Sequence, residues 1–163
     1  MEALQRALRL SFFDRRTANQ IMFDHSATGD AVLLVAAVQA AVIAVLFLRA
    51  GAFSPMALLE GAIGGIAGWL FLSFAIWLMG TRVLKGSGDA QTMIRTTGFG
   101  TLPLLLGAAG YGWVGLVWHL AILVLVARVV LGLDWAEAGG AVALGAALIY
   151  LIQTLLGAAL FRF

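Results

Sequence analysis

Apolar residues run almost unbroken from Ala31 to Leu48, interrupted only by Gln39 and closed by Arg49. Such a texture, sustained for ~20 residues, is what a helix needs to cross the ~30 Å hydrocarbon core of a bilayer, and it returns four times. The second stretch runs from about Met56 to Met79, behind a turn in which Ser54 is placed to cap and Pro55 falls in the first turn, where its missing N–H costs nothing. The third is mixed from Ala90 to Thr97 and apolar from Gly98 to Ala109, which predicts one helix capped by Asp89, entering the membrane obliquely and bent at Pro103. Gly110, Tyr111 and Gly112 turn the chain into a fourth span, Trp113 to Leu131, holding His119 and, near its end, Arg128. Beyond a loop from Gly132 to Gly140 that carries Asp134 and Glu137, the fifth span runs from Ala141 to Phe161 with Gln153 inside. Fusing Gly98 to Leu131 into a single span would need thirty-four helical residues, about 51 Å at ~1.5 Å each, so two spans are expected there.

Residues 1–30 read differently. Arg6, Arg9, Arg15 and Arg16 stand against Glu2, Asp14, Asp24 and Asp30, and no apolar run is long enough for a signal-peptide core; the head is expected to be retained on the cytoplasmic side. Leu4, Leu8 and Phe12 recur four apart, as in a short helix lying in the headgroup layer. Leu10 and Phe13 break that stripe, and an irregular arm packed on the bundle is the alternative. Between the second and third spans, Gly80 to Gly88 with Arg82, Lys85, Gly86, Ser87 and Gly88 has the composition of a mobile basic loop.

Composition closes off the soluble classes: 63% of residues are hydrophobic and 11% charged, with a mean hydropathy of +1.03, where soluble domains carry about 45–50% and about 25%. The 10 Lys and Arg nearly balance the 8 Asp and Glu, so nucleic-acid binding is not expected. Orientation follows from where the basic residues fall. With the head inside, Arg6, Arg9, Arg15, Arg16, Arg82, Lys85, Arg95 and Arg128 share one side, eight of the 10, leaving Arg49 and Arg162 outside; this is the positive-inside pattern. The expected fold is thus an all-α polytopic transmembrane bundle of five spans, with the N-terminus inside and the C-terminus outside.

Candidate chemistry is sparse. Cysteine is absent and His25 and His119 are the only histidines, so neither a metal site nor a cysteine nucleophile is expected. Gly110, Gly112 and Gly115 satisfy G-x-G-x-x-G, but between two membrane segments and without a preceding strand this reads as a turn. Gly61 with Gly65 and Gly64 with Gly68 form two overlapping G-x-x-x-G patterns, which let helix backbones approach closely in lipid; packing within the chain is favoured over homo-oligomerisation. An ionisable group in hydrocarbon costs at least ~2.5–3.5 kcal/mol and finds a partner. Counted from Pro55 and Trp113, Glu60 and His119 come out level, which suggests a register-fixing clasp or, alternatively, an ion relay. Gln39 and Gln153 are the other intramembrane polar groups considered. Ser73 is expected to lie far from His119 in depth, and no catalytic residue or cofactor site is assigned.

The basic glycine loop, followed by Arg95-Thr96-Thr97-Gly98-Phe99-Gly100-Thr101-Leu102-Pro103 and two further spans, resembles the Yip family, the Ypt-interacting membrane proteins. The likeness covers roughly residues 30–161, and the family's G-Y-x-x-x-P motif is represented by Gly98, Phe99 and Pro103, with Phe in place of Tyr. The resemblance implies a five-span membrane domain at 31–163 with a cytoplasmic N-terminal segment at 1–30. Eukaryotic members are associated with Rab-type GTPases and with Golgi and endoplasmic-reticulum membranes. The D-L-Y-G-P motif that precedes their first span is missing here, and the short form looks like bacterial members, which implies a bacterial cytoplasmic (inner) membrane location. The expectation is a non-enzymatic accessory or scaffold subunit that binds membrane lipids or other integral membrane proteins. Its inward Arg6, Arg9, Arg15, Arg16, Arg82 and Lys85 either attract anionic headgroups, at ~1 kcal/mol each, or set topology. A small transporter or channel subunit using Glu60 and His119 is the alternative.

Overall fold

The computed structural model describes residues 2–51 and 54–160, the side chains of 153 and 156–160 excepted; Gln153 and Arg162 lie outside the described side chains. Regular structure among the described residues is helical throughout: α1 (Glu2–Ser11), α2 (Arg15–Phe23), α3 (Ala27–Ala50), α4 (Pro55–Arg82), α5 (Ala90–Phe99), a 3₁₀ helix (Leu102–Gly107), α6 (Gly112–Leu131) and α7 (Trp135–Leu160). Four of these, α3, α4, α6 and α7, are long and apolar enough to cross a membrane.

Local chemistry sets the helix ends. The Ser54 hydroxyl accepts from the Ala57 N–H at 3.4 Å with Pro55 in the first turn of α4, and Asp89 accepts from the Thr92 N–H at 2.8 Å at the start of α5. The segment expected to be a loop from Gly132 to Gly140 is instead mostly the first turns of α7. The Glu137 N–H donates to Asp134 (2.7 Å) while the Asp134 N–H donates to Glu137 (3.0 Å), a reciprocal capping box that starts the helix at Trp135.

The expected third span is not one bent helix. Pro103 has no N–H to offer the carbonyl of Phe99, and its ring crowds the preceding turn; α5 ends at Phe99 and the chain tightens into the 3₁₀ helix. The two pieces run alongside α3 in the same direction, Gly98 against Ala31 and Gly107 against Val42. α6 returns antiparallel to them, with Gly100 against Ile122 and Gly115 against Pro103. α4 pairs antiparallel with α3 through Gly61 on Ile43 and Gly65 on Gln39, and with α7 through Gly80 on Ala141 and Ile76 on Gly145. Only half of the glycine pattern is used in this packing: a Cβ on Gly64 or Gly68 would meet nothing within 4 Å.

Neither expectation for the head describes it fully. α1 and α2 form a helical pair that buries Ala7, Leu10, Ala18 and Ile21 in the same core as α3, α5 and α6. Leu10, which breaks the apolar stripe in sequence, is the residue that enters the core, while Leu4, Leu8, Phe12 and Phe13 stay exposed. The basic glycine loop is pinned rather than loose. The Gly86 N–H donates to Gly80 (2.9 Å), the Ser87 N–H to Leu131 (2.8 Å) and the Trp77 indole to the Gly88 carbonyl (2.9 Å). Gly88 has φ +149°, and a Cβ there would sit 2.5 Å from the Val130 carbonyl oxygen, so glycine serves close approach here and not mobility.

Candidate functional site

The break after α5 is where the other elements are tied. Thr97 on α5 receives the Trp69 indole N–H at 3.0 Å and shares a hydrogen bond with Ser73 at 2.6 Å, both from α4. The Thr101 hydroxyl donates to the Gly98 carbonyl at 2.8 Å, satisfying backbone freed by the end of the helix. His119 on α6 closes the last gap. Its Nδ1 lies 2.8 Å from the Gly100 carbonyl oxygen, and since a carbonyl only accepts, Nδ1 carries the proton; in the neutral imidazole Nε2 is then left with a lone pair. An unsatisfied carbonyl inside a bilayer costs several kcal/mol, which gives the imidazole a structural task that sequence spacing did not disclose.

The head is held to the same element from the other end. Arg95, one residue before Thr96, is 1% exposed. Its guanidinium donates to the Met22 carbonyl (2.5 Å) and the Thr92 hydroxyl (3.2 Å), with His25 Nδ1 at 3.5 Å. Its Nε has no partner among the described residues. In the sequence Arg95 falls among the basic residues that mark the inner side, and nothing local marks it as buried. Further support comes from the Trp118 indole, which donates to the Ser11 carbonyl at 2.8 Å with Phe12 edge-on to its ring at 6.3 Å. Within the head, Asp24 accepts from Arg6 at 2.6 Å. The Ser26 hydroxyl, and after it the Arg6 guanidinium, hold the Asp24 carboxyl down at about 2.

Between α3, α4, the 3₁₀ helix and α6 lies a cavity of about 240 Å³, to which Gln39, Gly68, Ser73, Thr101 and His119 contribute. Two expectations are corrected here. Glu60 is exposed and distant from this layer in register: His119 is level with Gly65 to Ser73, about one and a half to three and a half turns further along α4. The depth count fails because α6 starts beside Gly107, itself against Val42, eight residues short of the end of α3 at Ala50, about 12 Å at ~1.5 Å per residue. Ser73, expected far from His119, lines the same cavity, and so does Gln39. The Glu60–His119 clasp is therefore absent; His119 clasps the broken helix instead. Of the basic residues, Arg9, Arg15, Arg16, Arg82 and Lys85 are exposed and Arg6 is paired with Glu2 and Asp24. Among the described residues no three His, Cys, Asp or Glu side chains are grouped to hold a metal ion.

Gly98, Phe99 and Pro103 all sit in this hub and all three are buried. The Yip1 domain family matches the chain over residues 10–157. The chain belongs to the Yip1 family. The match takes in α2 to α6 and most of α7, and it begins within the helical head, at Leu10. In this member the motif has a physical meaning: Gly98 lets α5 touch Ala31 and Trp69, Phe99 fills the core, and Pro103 ends the helix. Neither the curated proteins nor the solved structures compared with the chain give a match.

Proposed function

We propose that this Yip1-family protein is a non-enzymatic membrane subunit, an accessory or organising component that binds other integral membrane proteins or lipids. One observation carries the reading. Of the buried polar side chains, Ser73, Thr97, Arg95 and His119 tie elements to one another or to the head, while Thr92, Thr96 and Thr101 bond within α5, its cap or the turn that follows it, so most of the interior polar chemistry is committed to architecture. The outward surfaces are lipid-like, with Leu33, Ile63, Phe71, Tyr150 and Leu151 exposed on the long helices, and a collar of exposed Arg9, Arg15, Arg16, Arg82 and Lys85 suits anionic headgroups. In this proposal the α5–3₁₀ segment is a fifth crossing. Its course beside α3 from Ala31 to Val42, continued by Gly110 beside the Arg49 guanidinium at the far end of α3, supports that, and the arginine bias supports a cytoplasmic N-terminus; the bacterial inner membrane is the location that fits the short form of the chain.

Purification of the full chain in mild detergent, followed by native mass spectrometry, tests the proposal. Co-purifying membrane proteins or retained anionic lipid are expected; recovery under all conditions as a bare monomer would refute it. Because the chain has no cysteine, single Lys85→Cys and Arg49→Cys variants test the topology. Lys85→Cys should react with an impermeant maleimide only from the cytoplasmic side and Arg49→Cys only from the outside. The transporter alternative gains nothing from the arrangement of Glu60 and His119, which do not meet.

A further inference from the structure

The 240 Å³ cavity lies beside the midpoints of α3 and α4: Gln39 is the thirteenth residue of the 24 in α3, and Gly65 to Ser73 straddle the centre of the 28 in α4. Its walls are apolar, from Trp69, Leu72, Leu104, Leu116 and Leu123, and most of its polar atoms are already satisfied: Ser73 and Thr101 hydroxyls and His119 Nδ1 all have partners. Two groups do not. His119 Nε2 is a lone-pair acceptor, and the Gln39 carboxamide offers both donor and acceptor; neither has a hydrogen-bond partner among the described residues. A few convergent polar atoms in an apolar pocket are the usual signature of a small-molecule site, and at membrane mid-depth polar groups without partners are costly.

We propose that this cavity binds the headgroup of an uncharged lipid alcohol. In this proposal the hydroxyl donates to His119 Nε2 and accepts from the Gln39 amide, the two groups of the cavity lining without partners. No Lys, Arg, Asp or Glu lines the cavity, and an ionised headgroup at that depth would carry a penalty of at least ~2.5–3.5 kcal/mol, so phosphate and carboxylate headgroups are excluded by the same geometry. The volume is below the about 300–1,000 Å³ usual for whole-ligand pockets; it takes the headgroup and the first methylenes. The remaining chain leaves along α4, where Gly64 and Gly68 have nothing within 4 Å of where a Cβ would be. The site stands apart from any protein partner: a chain that purified alone would still take up the alcohol.

The test uses the full chain in nanodiscs of neutral lipid, with hexadecanol carrying a diazirine on the third carbon from the hydroxyl as the probe and its O-methyl ether as control. The ether keeps the tail but cannot donate a hydrogen bond. After irradiation, peptide mass spectrometry should place alcohol adducts in 65–73 and 116–123, with the ether labelling about tenfold less, the loss expected for one buried hydrogen bond. Gly68→Leu plugs the cavity where there is room for the side chain and should abolish the label. Gln39→Leu, which keeps the His119–Gly100 bond, should lower it about fivefold to tenfold. Equal labelling by alcohol and ether, undiminished labelling of folded Gly68→Leu, or no cavity adduct from either probe (water alone, or a partner helix, filling the space) would each overturn the proposal. Should Gly68→Leu fail to fold, the alcohol-to-ether ratio and Gln39→Leu decide it.

Discussion

Replacing Gly98 by alanine should loosen the bundle at the point where α5 meets α3 and α4. An added Cβ would lie 2.8 Å from the Ala31 Cβ and 2.9 Å from Trp69 Cζ2, so both gaps must open by more than half an ångström to reach ordinary contact at roughly 3.5 Å or more. The Ala31 Cβ is fixed to its backbone and has no rotamer to escape into. Trp69 is tethered by its indole to Thr97 at 3.0 Å, and swinging the ring away gives up a hydrogen bond of about 0.5–1.5 kcal/mol. Overpacking of this kind costs about 1–3 kcal/mol, and alanine's helix preference returns up to about 1 kcal/mol. The net loss is about 2 kcal/mol, roughly a thirtyfold fall in the folded-to-unfolded ratio. Unfolding by increasing mole fraction of SDS in dodecyl maltoside micelles, followed by circular dichroism, measures it. Gly64→Ala is the matched control, because its Cβ meets nothing within 4 Å, and should leave the midpoint unchanged or slightly raised. The reasoning is refuted if Gly98→Ala unfolds with the parent chain, or if Gly64→Ala loses as much.

Arg95→Met should free the head without unfolding the bundle: the bond to the Met22 carbonyl is lost but a similar apolar volume remains. Tryptic cleavage after the exposed Arg15 and Arg16 should speed up about tenfold, as expected for losing about 1.5 kcal/mol of charged hydrogen bonding, while helicity holds; unchanged cleavage would show that Arg95 does not anchor the head. Asp24 supplies a pH test. Folding lowers its pKa from 3.8 to about 2, and a depressed carboxylate stabilises above its unfolded value and loses that contribution as pH falls through the folded one. The head should therefore stay docked down to about pH 4 and loosen between there and about pH 2, with Asp24→Asn loosened already at neutral pH. A protease sensitivity that is flat across this window, or unaltered in the variant, contradicts the assignment.

Membrane class and the positions of the long helices were determined by the sequence alone, because bilayer thickness imposes one length of apolar run on every crossing helix and capping is a local affair of three or four residues. Ser54, Asp89 and Pro103 act where they were expected to act. The capping box at Asp134 and Glu137 is equally legible, as a D-x-x-E pattern before an apolar run, although the glycines on either side of it give the segment a loop-like composition. What surrounds each residue was decided only by tertiary packing. Helices of unequal length are offset along their axes, so counting from each helix end puts Glu60 and His119 in one layer, whereas α6 begins deep beside Gly107 and brings His119 to Gly100, Gln39 and Ser73. The spacing of Gly61, Gly64, Gly65 and Gly68 announces two small faces on α4, yet only contact with α3 selects Gly61 and Gly65 for packing and leaves Gly64 and Gly68 open. Arg95 looks like a topology marker in sequence and is buried because α2 folds back over it. Hydropathy and caps are properties of a single segment; partner, depth and burial belong to pairs of segments, and only the folded chain pairs them.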